Sequence, residues 1–98
     1  MAAYVIFDVL KIDHEAIKPY IEKAFDTIIP YGGRLVARTN NIEVREGDWR
    51  PNRILMIEFP DMQSARDWYE SPEYQEILPI RLAATEEHMI IVEGLPND

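Results

Sequence analysis

Arginines and tryptophans are the residues of this chain best suited to recognising a small molecule. A guanidinium holds five N–H donors in a planar fork, which matches a carboxylate in a bidentate geometry. An indole offers a broad apolar face and one polar N–H, which suits an aromatic ligand as well as a core position. Taken with their sequence neighbours, the candidate substrate-binding residues are Arg38, Trp49, Arg50, Trp68 and Arg81. No catalytic residue is assigned.

Charge is distributed unevenly along the chain. Lys plus Arg is 10 against 18 for Asp plus Glu, so the formal net charge is −8. Residues 34–53 hold five Arg and three acids, whereas residues 54–98 hold two Arg and ten acids. The arginines of the short basic stretch either pair with carboxylates of this chain or a second copy, or bind an organic anion. The acidic total argues against nucleic acid as a partner.

Other kinds of chemical site have weak support in the sequence. The chain lacks cysteine, which excludes disulfides, thiolate zinc ligands and a cysteine nucleophile. His14 and His88 are isolated from clustered carboxylates, so they give little reason to expect a metal. Glycine motifs for phosphates or dinucleotides and the Gly-x-Ser-x-Gly motif of hydrolases do not occur. We predict neither a metal nor a cofactor.

Length and hydropathy indicate one soluble domain spanning residues 1–98. The sequence has no apolar run of about 18 residues, the length a membrane-spanning helix needs. Its first residues lack the basic and apolar segments of a secretion signal. We therefore expect a cytoplasmic protein with no membrane partner.

The elements that must position these side chains follow from periodicity. Runs rich in β-branched and aromatic residues predict strands over 3–9, 34–39, 53–59 and 88–94. A first helix is expected from the cap Asp13, with a kink at Pro19 and an end at Pro30 and Gly32-Gly33. Its buried stripe is predicted to be Ile17, Tyr20, Ile21, Ala24, Phe25 and Ile28. A second helix opens at Asp61 and receives a fresh start signal at Ser71.

The element order is β-α-β-β-α-β, which is the split βαβ, ferredoxin-like arrangement of an α+β protein. Right-handed crossovers place both helices on one face of a four-stranded antiparallel sheet with strand order 4-1-3-2.

Alternation along the strands assigns the two faces of this sheet. One set of alternating positions is wholly apolar and should carry the helices: Val5, Phe7, Val9, Leu35, Ala37, Leu55, Ile57, Phe59, Ile90 and Val92. The opposite set is also rich in apolar residues: Tyr4, Ile6, Val36, Ile54, Met56, Met89 and Ile91. So large an apolar patch on a small protein indicates an interface, and we expect a homodimer that packs sheet on sheet.

Charged residues share the second face. Arg34, Glu58 and Glu93 are expected at one end of it, and Asp8 and Arg38 at the other. Antiparallel pairing of the second and third strands should place Arg34 opposite or diagonal to Glu58, and Arg38 near Ile54. These groups either form ion pairs that fix the register of the dimer or line a polar cavity for a ligand.

Four of the candidate residues have alternative structural roles. The loop carrying Trp49 and Arg50 is either a lid over the neighbouring subunit or the rim of a pocket. Trp68 lies on a helix face directed at the sheet, where core packing is the default. Arg81 follows Tyr74 and Leu78 at helical spacing, so it either pairs with a protein carboxylate or anchors a ligand.

The chain resembles a known bacterial family through a set of short landmarks. They include Tyr31-Gly32-Gly33-Arg34, Glu46-Gly47-Asp48-Trp49-Arg50-Pro51, Ala65-Arg66-Asp67-Trp68-Tyr69, Ser71-Pro72-Glu73-Tyr74-Gln75 and Val92-Glu93-Gly94. Over residues 3–94 the pattern is similar to the domain-of-unknown-function family DUF1330, whose members are dimeric α+β barrels. The resemblance implies that fold and carries over no catalytic residue. Residues 37–41 depart from the family pattern, which affects the turn after the second strand.

Three kinds of function stay open on this reading. The first is a cofactor-independent oxygenase or isomerase acting on a small aromatic or carboxylated metabolite. The second is a non-catalytic small-molecule binder or stress-linked accessory protein, and the third is a purely structural dimer module. An enclosed pocket with convergent polar groups favours the first two, whereas a solidly packed interior favours the third.

Overall fold

The computed structural model describes residues 1–96. Its elements in chain order are β1 (Ala3–Ile12), α1 (Lys18–Ile28), a 3₁₀ turn (Ile29–Tyr31), β2 (Arg34–Thr39), β3 (Ile54–Phe59), α2 (Met62–Glu70), α3 (Pro72–Ala84) and β4 (Thr85–Glu93). The strands form one antiparallel sheet in the order β2-β3-β1-β4, which confirms the predicted ferredoxin-like α+β topology. None of the helices between residues 1 and 96 has the length and hydropathy needed to cross a lipid bilayer.

The second helical region is two helices rather than the single one predicted. Ser71 separates them because its side chain forms hydrogen bonds with the end of α2 and with the start of α3. Its hydroxyl donates to the carbonyl of Trp68 at 2.7 Å, and it accepts from the amide of Tyr74 at 3.2 Å. Ser71 therefore ends α2 and caps α3 at the same point.

Helix α1 begins later than predicted and has no kink at Pro19. The carboxylate of Asp13 caps a separate turn by accepting the amides of Glu15 and Ala16, both at 3.1 Å. Pro19 then falls in the first turn of α1, where its missing N–H costs no helical hydrogen bond. The helical segment ends where predicted, at Gly32, whose φ of 78° favours glycine.

The face assignment of β4 was wrong. Ile91 lies opposite Val5 and Met89 lies opposite Phe7, so both point toward the helices. The exposed fractions of Ile90 and Val92 are 54% and 37%, which agrees with the opposite face. Alternation could not decide this strand because residues 89–92 are all apolar.

An irregularity in β2 corrects the placement of its second half. Arg34 lies opposite Glu58 as predicted, and its Nε donates to the Glu58 carboxylate at 2.8 Å. The pairing then shifts between Leu35 and Ala37, so Arg38 faces Leu55 and not Ile54. An extra residue in one strand reverses the direction of every side chain after it. Arg38 therefore lies on the helix side of the sheet.

The predicted charge clusters are corrected by the same two findings. Glu93 pairs with Ala3 and so belongs to the helix side, away from Arg34. Asp8 stays on the side without helices, so it cannot meet Arg38 there. The Arg34–Glu58 pair is the part of that prediction which the structure confirms.

The helices cover one face of the sheet. The largest fully buried side chains of the molecule are Trp68, Tyr74, Phe59 and Val5. The other face, here called the open face, carries Tyr4, Ile6, Ile54, Met56, Ile90 and Val92. With one covered face, the molecule is a slab of 36 × 35 × 16 Å.

Candidate functional site

A cavity of about 390 Å³ lies between α1 and the helix side of the sheet. This volume falls within the range of small-molecule sites, about 300–1,000 Å³. Its apolar walls come mainly from Phe7, Val9, Ile17, Ala24, Leu35 and Leu55. The polar groups that reach it are His14, Tyr20, Arg38, Arg53, Arg81, Thr85 and Glu87.

Helix α1 forms the outer wall of this cavity. Ile21 and Phe25 line it, yet 53% and 45% of these residues stay exposed. The apolar stripe of the first helix predicted that both side chains would be buried. Two other members of that stripe, Ile17 and Ile28, are buried as expected. The difference arises because open space, rather than packed side chains, separates the middle of α1 from the sheet.

Four polar side chains form a connected group at one end of the cavity. Arg81, in the last turn of α3, forms an ion pair through Nη1 with Glu87 of β4. Its Nε donates to the hydroxyl of Tyr74 at 3.1 Å, and that oxygen lies 2.9 Å from the hydroxyl of Tyr20. The guanidinium carbon also stands 5.3 Å from the ring centre of Phe7, a cation–π arrangement.

Burial fixes the protonation of this group. It raises the pKa of both Tyr20 and Tyr74, so each keeps its proton at physiological pH. Burial opposes the charge on Arg81, but the neighbouring Tyr74 and Glu87 outweigh it and raise the pKa of Arg81. The cavity is therefore bordered by the neutral phenol of Tyr20 and the charged guanidinium of Arg81, with the neutral phenol of Tyr74 buried behind them.

Two further guanidinium groups lie at the cavity, one on β2 and one directly before β3. Arg38 is exposed and Arg53 is half-buried. Among residues 1–96, neither forms an ion pair, whereas Arg34, Arg45 and Arg81 each do. The two positive charges are thus available to an anion.

The structure brings two of the five predicted residues, Arg38 and Arg81, to the cavity. Trp68 is in the core, 1% exposed, with its Nε1 donating to the Thr27 hydroxyl at 3.0 Å. It does not line the cavity, and neither do Trp49 and Arg50.

Trp49 and Arg50 lie at the edge of the open face. The indole Nε1 of Trp49 donates to Asp8 at 3.0 Å, and the amide of Asn52 donates to the other Asp8 oxygen at 3.2 Å. Arg50 donates to the carbonyl of Gly47 at 3.0 Å, within its own loop. Asp8 therefore anchors this loop to β1, and 64% of Trp49 remains exposed.

Sequence reasoning missed Arg53 and Glu87. Arg53 has the same parity as Leu55 and Ile57, so alternation alone could have placed it on the helix side. Glu87 lies opposite Val9, a placement that depends on the register of β4. Within the described part of the chain, no three His, Cys, Asp or Glu side chains group in a way suited to a metal ion.

Comparison with known proteins identifies the family. Residues 2–95 match the profile of a domain of unknown function, DUF1330. The chain belongs to the DUF1330 family. No curated protein shows significant sequence similarity to it.

Solved structures share the fold of this DUF1330 chain at low sequence identity. A protein of unknown function from Rhodopseudomonas palustris, RPA0582, has a TM-score of 0.76 at 17% identity, covering 98% of this chain and 84% of its own. A dimeric ferredoxin-like protein of unknown function from Jannaschia sp. CCS1 has a TM-score of 0.67 at 13% identity, covering 96% and 100%. SnoaB, a cofactor-independent oxygenase from Streptomyces nogalater, has a TM-score of 0.58 at 14% identity, covering 98% and 94%. These likenesses establish the fold.

Proposed function

We propose that this DUF1330 protein binds a small aromatic carboxylate in the cavity between α1 and the sheet. The observation that carries the proposal is a largely apolar cavity bordered by two guanidinium groups, Arg38 and Arg53, that form no ion pair within residues 1–96. Apolar walls suit an aromatic ring, and guanidinium groups suit a carboxylate. A protein whose interior served only packing would fill this space.

The test is calorimetric titration with 3-phenylpropionate, which joins a phenyl ring to a carboxylate. Replacing Arg53 with glutamine should weaken binding about tenfold, because a hydrogen bond to a charged group contributes about 1.5–3 kcal/mol. Arg38→Gln should have a smaller effect since Arg38 is exposed. Added salt should weaken binding to the wild type.

Two controls make this result specific. Arg66→Gln removes an exposed guanidinium on α2 that does not line the cavity, and it should leave affinity unchanged. 3-Phenylpropionamide has the same size without the charge, and Arg53→Gln should not affect its binding. Failure of 3-phenylpropionate to bind at millimolar concentration, or equal affinity in all three variants, would overturn the proposal.

Catalysis on such a ligand is a second candidate, as a cofactor-independent oxygenase or isomerase. The favouring observation is that a carboxylate and a protonated phenol, Glu87 and Tyr20, border the same cavity. Such a pair can take a proton from one position of a ligand and donate a hydrogen bond at another. SnoaB, named as a cofactor-independent oxygenase, supports this candidate through shared fold only.

We also propose that the protein is a homodimer formed through the open face. The accessible surface is 6649 Å², against about 5,800 Å² expected for a folded monomer of this mass. The excess agrees with a flat molecule whose sheet has one uncovered face, and that face carries apolar side chains that a second copy can cover. Ile90 and Trp49, 54% and 64% exposed, lie on this side of the sheet, and the Jannaschia protein is dimeric.

Met56→Asp should convert the dimer to a monomer. The aspartate would be an unpaired charge in the interface, at a cost of about 3–5 kcal/mol. Sedimentation velocity at micromolar concentration measures this directly. Ile29→Asp is the matched control, because Ile29 is 64% exposed in the 3₁₀ turn, away from the sheet. A monomeric wild type, or dissociation by Ile29→Asp as well, contradicts the proposed interface.

A further inference from the structure

The hydroxyl of Tyr74 both accepts and donates a hydrogen bond, and its neighbours fix the direction of each. Tyr74 is fully buried, with an exposed fraction of 0%. Its oxygen accepts from Nε of Arg81 at 3.1 Å, and a guanidinium can only donate. Its own proton then needs an acceptor, since a buried donor without one is costly. Among residues 1–96 the acceptor in reach is the Tyr20 hydroxyl, at 2.9 Å.

This geometry sets the direction of the whole chain of hydrogen bonds. Arg81 donates to Tyr74, and Tyr74 donates to Tyr20. The proton of Tyr20 is left without a protein acceptor within the described residues. Tyr20 is half-buried and lines the cavity, so this proton is available to a bound ligand.

Glu87 supplies an acceptor at the same end of the cavity. Its Oε1 is engaged by Arg81. Its second oxygen, Oε2, forms no side-chain hydrogen bond within residues 1–96, although the side chain is only 6% exposed. Every fully buried side-chain nitrogen or oxygen in the described residues has a hydrogen-bond partner. Oε2 has none, so it is not fully buried. The space that Glu87 lines is the cavity, and Oε2 is therefore open to it.

The separation of the two ends of the cavity follows from the sheet. Glu87 of β4 lies opposite Val9 of β1, and the Val9 amide donates to the carbonyl of Arg53 at 2.9 Å. Arg53 and Glu87 are therefore two strand spacings apart, or about 10 Å between backbones. A ligand whose carboxylate lies at Arg53 needs the length of a substituted aromatic ring to reach Tyr20 and Glu87.

We propose that the cavity selects elongated aromatic carboxylates with a phenolic oxygen at the far end of the ring, to which Tyr20 donates while Glu87 accepts. This inference rests on the proposed function and adds the substrate class. A phenol is the fitting group because it accepts one hydrogen bond and donates another. Arg81 and Tyr74 are positioning residues, which act through Glu87 and Tyr20.

The experiment compares 3-(4-hydroxyphenyl)propionate with 3-phenylpropionate, two probes that differ by one oxygen at the far end. The wild type should bind the phenol about tenfold more tightly, because the unsubstituted ring leaves a donor and a charged acceptor unpaired. Tyr20→Phe should reduce this preference severalfold, because it removes the hydrogen bond to the phenol and also the unpaired donor that disfavours 3-phenylpropionate. Tyr31→Phe, a half-buried tyrosine outside this cavity, is the matched control and should keep the preference.

A third probe needs no variant. 3-(4-Methoxyphenyl)propionate keeps the accepting oxygen but cannot donate to Glu87, so it should bind the wild type more weakly than the phenol. Binding of 3-phenylpropionate without preference for the phenol, or a preference that survives Tyr20→Phe, overturns this inference and leaves the proposed function standing. If none of the three carboxylates binds, the proposed function fails and the inference falls with it.

Discussion

Replacing Arg81 with methionine should lower the free energy of unfolding by about 3–5 kcal/mol, because the change leaves a buried carboxylate without its partner. Both side chains of the Arg81–Glu87 pair are only 6% exposed. The substitution also removes the hydrogen bond to Tyr74 and the contact with the ring of Phe7. Urea denaturation at neutral pH measures the loss.

A double variant separates the unpaired charge from the lost packing. Arg81→Met combined with Glu87→Gln removes both charges, so it should recover a substantial part of the stability lost by the single variant. Arg66→Met is the control, because Arg66 is exposed and its replacement should change stability by less than about 0.5 kcal/mol. If the single variant is as stable as the wild type, the pair does not contribute as the structure indicates.

Trp68→Ala should destabilise the fold by about 3–5 kcal/mol, in the range for deleting a large buried aromatic side chain. Trp68 is 1% exposed, and its ring centre lies 4.2 Å from that of Tyr74 and 5.4 Å from that of Phe59. The smaller change Trp68→Phe should cost less but still lose the hydrogen bond to Thr27.

Ligand affinity distinguishes a core role of Trp68 from a binding role. Trp68→Phe should bind 3-phenylpropionate as tightly as the wild type, since Trp68 does not line the cavity. Thermal denaturation and calorimetric titration of the same sample provide both values. A stable variant with weakened binding would show that Trp68 contributes to the binding site.

The sheet order could be predicted from the sequence because it depends on element order and crossover handedness. The open apolar face could be predicted because alternation shows apolar residues on both parities of β1 and β3. The face of β4 could not, since residues 89–92 are apolar without interruption. Only the register against β1, with Phe7 opposite Met89, resolves it.

The candidate site was harder to predict because it depends on three-dimensional details. Arg38 lines the cavity from the helix side and not from the open face as predicted, since the irregularity in β2 has no signature in its residue types. Arg81 could be predicted to need a partner, but the sequence did not specify Glu87 as that partner. The cavity itself exists because α1 leaves Ile21 and Phe25 apart from the sheet. Helical periodicity predicts which side chains point toward the sheet, but it does not predict how far the helix lies from the sheet.

A crystal structure of the protein with 3-phenylpropionate tests the central claim most directly. The claim predicts the ligand between α1 and the sheet, with its ring against Leu35 and Leu55 and its carboxylate at Arg38 and Arg53. The open face should be covered by a second copy in the same crystal. A ligand bound elsewhere on the molecule, or a cavity filled by Ile21 and Phe25 packed onto the sheet, would contradict it.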